Sequence, residues 1–98
     1  MKSFKLKAYG QTWKVRVLKK HKLLKDPITK EESFGHTDTP NNQILIDSTA
    51  TEDQQRSTLI HEFIELISFQ NDLDLPEQTI KILEGGLYQI LHDNNLRF

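Results

Sequence analysis

The sequence predicts an α+β fold: a small antiparallel β-sheet, made of an N-terminal hairpin and one further edge strand, packed on two antiparallel helices. Three observations predict it. Apolar and charged residues alternate in Phe4-Lys5-Leu6-Lys7-Ala8 and again in Trp13-Lys14-Val15-Arg16-Val17, the period of a half-buried strand. A short apolar run follows at Gln43-Ile44-Leu45-Ile46-Asp47, bounded by turn-forming residues. From Thr51 onward the apolar spacing becomes helical.

Between the alternating runs, Tyr9-Gly10-Gln11-Thr12 supplies a turn, with Gly10 at the positive φ that tight hairpins need. One hairpin face then carries Phe4, Leu6, Ala8, Trp13, Val15 and Val17 toward the core, and the other carries lysines. Lys19 to Pro40 shows no clear period and contains the breakers Asp26-Pro27 and Gly35. Mostly loop is expected there, with at most one weak strand. Asn41-Asn42 turns the chain into the run at 43–47.

Ser48 and Thr51 both suit a helix N-cap, and Thr51 with Gln54 three positions on has the capping-box pattern. Leu59, Ile60, Phe63, Ile64, Leu66 and Ile67 form a broad apolar arc, and this helix should end near Asn71-Asp72. A second helix is capped by Asp74 or Leu75, with Pro76 in its first turn. It runs through Ile80, Leu83, Leu87 and Leu91 to about Asn94. The link is only a few residues long, so the helices should pack antiparallel.

With 98 residues the chain reads as one domain, 1–98. Hydrophobic residues at 36% and charged residues at 28% place it among globular rather than disordered proteins. Cysteine is absent, which excludes disulfides and thiolate metal sites and fits a reducing compartment. Residues 1–7 hold no apolar signal core, and no run approaches ~18 apolar residues, so the expectation is a cytoplasmic protein with no membrane segment.

The net charge of −1 conceals an asymmetry. Residues 1–30 hold ten Lys/Arg against one acid, giving +9; residues 31–98 hold three against thirteen acids, giving −10. A basic end with Phe4, Tyr9 and Trp13 among lysines could stack bases. Phe4 and Trp13 share the core-facing side, however, and lysines on an outer strand also discourage edge-to-edge pairing. Nucleic acid is therefore not the expected partner.

The chemistry concentrates in His61-Glu62-Phe63-Ile64-Glu65. At about 100° per residue, His61 and Glu65 sit about 40° apart, one turn from each other on one helix face. Two ligands at this spacing can close on one metal ion, as in His-Glu-x-x-His. Glu62 lies about 100° around from His61, placed to act as general base on water without becoming a ligand. Glu84 on the facing helix is the expected third ligand. Gly85-Gly86 beside it would allow close helix approach, offsetting the cost of about 1 kcal/mol per helical glycine. Tyr88, one turn later, could present its hydroxyl to a substrate carbonyl. Helix surfaces are rich in glutamate, so the motif alone also fits solvated Glu62 and Glu65 beside a packed His61.

The whole chain resembles small phage- and prophage-encoded zincin-like proteins, relatives of compact metallopeptidase domains. Gly10-Gln11-Thr12-Trp13-Lys14-Val15 resembles their first hairpin and Phe34-Gly35-His36-Thr37-Asp38 their pre-strand loop. Ile44-Leu45-Ile46-Asp47 is similar to their edge strand, Ser57-Thr58-Leu59-Ile60-His61-Glu62 to their active helix, and Glu84 through Leu91 to their closing helix. The resemblance implies a minimal zincin-like fold and a peptide or protein segment lying along Ile44–Ile46 by β-augmentation. It also implies a divalent metal, zinc first. At Glu65 the chain departs from the better-known motif, which has histidine. One histidine with two carboxylates lowers the Lewis acidity of the ion and suits Mn²⁺ or Fe²⁺ as well as Zn²⁺.

Three functions follow as expectations. The first is a metal-dependent hydrolase with His61, Glu65 and Glu84 as ligands and Glu62 as base. The second is a catalytically inactive zincin-like scaffold that binds a protein in phage biology. Nucleic-acid binding through the hairpin ranks last.

Overall fold

The chain turns back on itself at Tyr9-Gly10, between strands β1 (Phe4–Ala8) and β2 (Gln11–Leu18), in a computed structural model that describes residues 1–19 and 34–96. Ala8 lies opposite Gln11, so the turn has two residues, and both have positive φ, 53° and 72°. That is the tight hairpin turn whose twist matches its strands. Gly10 adopts it freely. Tyr9 is held there with its hydroxyl accepting a hydrogen bond from Asn71 Nδ2 at 3.0 Å.

Two further strands, β3 (Gly35–Asp38) and β4 (Gln43–Asp47), complete a sheet of order β1-β2-β4-β3. A 3₁₀ turn at Thr39–Asn41 joins β3 to β4. Helices α1 (Glu52–Gln70) and α2 (Glu77–Asp93) follow. The α+β class expected from the sequence is the class observed. In detail the sheet is mixed, because β2 and β4 run parallel while the outer pairs are antiparallel.

The run at 43–47 is an internal strand, which corrects the edge position expected for it. Leu45 lies opposite Arg16 on one side and His36 on the other, so both of its edges are already paired. Ile44, Leu45 and Ile46 are all buried, the continuous apolar run of a strand covered on both faces. Its outer neighbour β3, Gly35-His36-Thr37-Asp38, has no apolar alternation to mark it as a strand. Of the loop expected at 19–40, residues 20–33 lie outside the described residues.

Gly35, read as a breaker, sits inside β3 for a packing reason. A Cβ there would collide with the Thr58 methyl of α1 and come within 3.2 Å of Glu62 Oε2. Glycine lets β3 lie directly on α1.

Sheet, α1 and α2 form three layers. Leu59 of α1 packs against Val15, Ile44 and Ile46, with Leu6, Val17 and Phe63 at the margin. Ile60 and Ile64 pack against Ile80 of α2, flanked by Leu75, Tyr88 and Leu91. Trp13 is fully buried, as its face predicts, whereas Phe4 is 39% exposed because β1 ends the sheet. Covered on two sides, α1 also buries the polar residues Thr58, Glu62 and Ser68. Thr51 caps it as expected, accepting from the Gln54 amide at 3.1 Å.

By contrast, α2 buries only Ile80. Leu83 and Leu87, two of the apolar residues through which this helix was expected to run, are 42% and 43% exposed. Nothing lies within 4 Å of a Cβ built on Gly85 or Gly86, so this pair does not mediate helix approach. The contacts Tyr88–Asp53, Ser57–Glu84 and His61–Glu77 run in opposite chain directions, so the helices are antiparallel. No helix among the described residues is long and apolar enough to cross a membrane.

Candidate cation site

His61 lies mid-way along α1 on the side facing α2. Its Nδ1 donates to Glu84 Oε1 at 2.7 Å, and the other oxygen of Glu84 accepts from Ser57 Oγ, also at 2.7 Å. The opposite ring nitrogen, Nε2, lies 3.3 Å from Glu65 Oε1 and 3.3 Å from Glu77 Oε1. Donor atoms of His61, Glu65 and Glu77 all fall within 4.8 Å of one another. The i,i+4 spacing brings Glu65 there, and the antiparallel start of α2 brings Glu77.

Glu84 is thus close to His61, but not where a third ligand was expected. The ring nitrogens of imidazole point away from each other, so a carboxylate on Nδ1 cannot share an ion with Nε2. Glu77 was missed because an acid in the first helical turn, after Pro76, already has an ordinary role facing the helix dipole. The signal that could have found it is the register of an antiparallel pair. Once Ser57 faces Glu84, His61 one turn on faces the residues preceding Ile80.

Glu62 points the other way, into the layer between α1 and β3. It is 5% exposed, and Thr37 Oγ1 donates to its Oε1 at 2.9 Å. Tyr88 does not reach His61. Its hydroxyl donates to Asp53 Oδ1 at 2.7 Å, eight residues or about 12 Å up α1. That carboxylate holds the phenol above its ordinary pKa.

Charges in the site are strongly coupled. The Glu65 carboxylate facing His61 Nε2, with help from Glu62, Glu84 and Glu77, raises the His61 pKa to about 9 against the opposing effect of burial. The same contact holds Glu65 below its ordinary value. Burial pushes Glu62 up to about 7, although the Thr37 hydroxyl and the His61 charge pull it down. His36, exposed on β3, adds a smaller effect favouring ionised Glu65.

His61, Glu65 and Glu77 could together hold a metal ion. With bonds of about 2.0–2.1 Å, neighbouring ligands of a tetrahedral centre lie about 3.3–3.4 Å apart. Both Nε2–carboxylate separations match that edge and exceed the usual length of a direct charged hydrogen bond, about 2.8 Å. Two carboxylates converging on one point repel unless a cation or a shared proton lies between them. A cavity of about 580 Å³ opens beside Glu65 and Glu77, floored by Leu75 and Ile80.

Compared with known proteins, the chain matches no family model, no curated protein and no solved structure, so the site stands on its own geometry.

Proposed function

We propose that the protein is a metal-dependent hydrolase of the peptidase type, a distant relative of the phage-encoded zincin-like proteins. His61 Nε2, Glu65 and Glu77 would hold the ion, zinc first, with manganese or iron suited to the same oxygen-rich set. Carrying this assignment is one observation: two carboxylates from different helices approach the same imidazole nitrogen while Glu84 occupies the other.

Such an ion would acidify a water and polarise a carbonyl. Glu84 fixes the ring orientation and the tautomer that leaves Nε2 free to bind, as carboxylate partners of ligating histidines do. Glu62, the expected base, has a pKa of about 7 that suits proton transfer near neutrality. Its carboxyl is buried against Thr37 of β3, away from the Nε2 side of α1, so its role as base rests on the variant test below. Peptide would lie in the open cavity rather than along Ile44–Ile46, whose edges are closed.

The test is metal content and calorimetric titration with Zn²⁺ and Mn²⁺, beside His61→Ala. Stoichiometric uptake at micromolar metal, lost in the variant, supports the site; no uptake sinks it. Peptide cleavage lost in Glu62→Gln with metal retained would establish the base.

A second reading has one observation in its favour. Without metal, both ring nitrogens already face carboxylates, and a His61 pKa of about 9 keeps the ring protonated at neutral pH. The cluster would then be an ion network joining α1 to α2 in a non-catalytic protein-binding scaffold. Partner binding that survives Glu62→Gln, in a protein without cleavage activity, would favour it.

A further inference from the structure

The basic third of the chain is not spread evenly over the hairpin. Register places Lys5 opposite Lys14, Lys7 opposite Thr12, and Arg16 opposite Leu45. Directly paired residues share a face, and Val15, Ile44 and Leu59 show that α1 covers the other one. Lys5, Lys7, Lys14 and Arg16 therefore gather on the outer face of β1 and β2, and all four are exposed. None makes an ion pair with a carboxylate among the described residues. Arg16 donates to the neutral Gln43 at 3.0 Å, and Asp38, two strands from Lys14, is engaged by Asn41.

Protection against edge pairing explains only part of this. It accounts for Lys5 and Lys7 on β1, the sheet's outer strand. It does not account for Lys14 and Arg16, because β2 is flanked by β1 and β4. Like charges directly opposite each other weaken a sheet, so the Lys5–Lys14 pair works against the fold that carries it.

We propose that this face binds the phosphate backbone of a nucleic acid. Trp13 is buried and gives no stacking platform, so binding would be sequence-independent and electrostatic. Phosphates are favoured over an acidic protein because the exposed side chains on the β1–β2 part of the face are Lys5, Lys7, Thr12, Lys14 and Arg16, with one partly covered apolar residue, Leu18, at its margin. Protein interfaces need a desolvated core, whereas phosphate contacts retain their water. The acidic helices lie on the opposite side of the sheet, away from the strand being bound.

Fluorescently labelled DNA, as a duplex and as its single strand, should be titrated with the full chain across a salt series. With four cations engaged, the logarithm of affinity should fall against the logarithm of salt with a slope of about −3.6 on the duplex and about −2.8 on the single strand. The K5Q/K14Q variant should roughly halve each slope while melting no lower than the parent, since it removes a repulsive pair. His61→Ala should leave DNA binding unchanged, which separates this surface from the cation site. Absence of binding at about 50 mM salt overturns the proposal, as does a folded K5Q/K14Q variant with parental slope and affinity. Poly-glutamate competing as well as DNA would overturn it in favour of an acidic protein.

Discussion

The Glu84 carboxylate accepts the Nδ1–H of His61 at 2.7 Å, which leaves Nε2 to face Glu65 and Glu77. One histidine is thereby oriented by one acid and grouped with two others into a cluster that could hold a metal ion. The distinction has consequences that can be measured.

Glu77→Gln and Glu84→Gln should separate in a metal titration. Losing a ligand at Glu77 should remove most affinity, whereas losing the orienting partner at Glu84 should cost about 10–100-fold. Calorimetry with Zn²⁺ on both variants decides it. The reverse ranking would return the ligand role to Glu84.

In chelator the stability of the protein should fall as pH rises. The folded state raises His61 from 6.5 to about 9, so its contribution is complete below 6.5 and disappears as pH passes through 9. The size is at most roughly 3 kcal/mol. Glu62, raised from 4.5 to about 7, acts in the same direction, its contribution fading as pH rises through 7. Glu65, held low by His61, acts oppositely and loses its contribution on acidification. Urea midpoints measured from pH 4 to 10, expected to peak on the acidic side of neutral, check this; His61→Ala should flatten the alkaline limb.

Gly85→Ala and Gly86→Ala should each stabilise the protein by about 0.5–1 kcal/mol. Both glycines lie within α2, and the added methyl meets open space. Thermal melts provide the readout. A loss of stability in either variant would mean that something in solution covers this helix face.

Gly35→Ala should do the opposite and cost about 1–3 kcal/mol through overpacking. Its Cβ would press on Thr58 and Glu62, so β3 must lift from α1 or the helix must shift. The companion change Thr37→Val removes only the hydroxyl that donates to Glu62. It should move the Glu62 titration, followed by NMR, to higher pH.

Sequence alone determined what local period and spacing can determine. The hairpin, the capped start of α1 and the His61–Glu65 pairing all depend on neighbours within a few residues, and each was readable from alternation, turn chemistry or the 3.6-residue repeat. Tertiary structure decided the rest. Only non-local strand pairing makes Ile44–Ile46 internal, because a four-residue strand with no apolar pattern closes its second edge. Only helix packing selects Glu77 over Glu84 for Nε2 and leaves Gly85 and Gly86 facing outward. The physical reason is that periodicity states which residues share a face, while the register between two elements states which side chains on those faces meet.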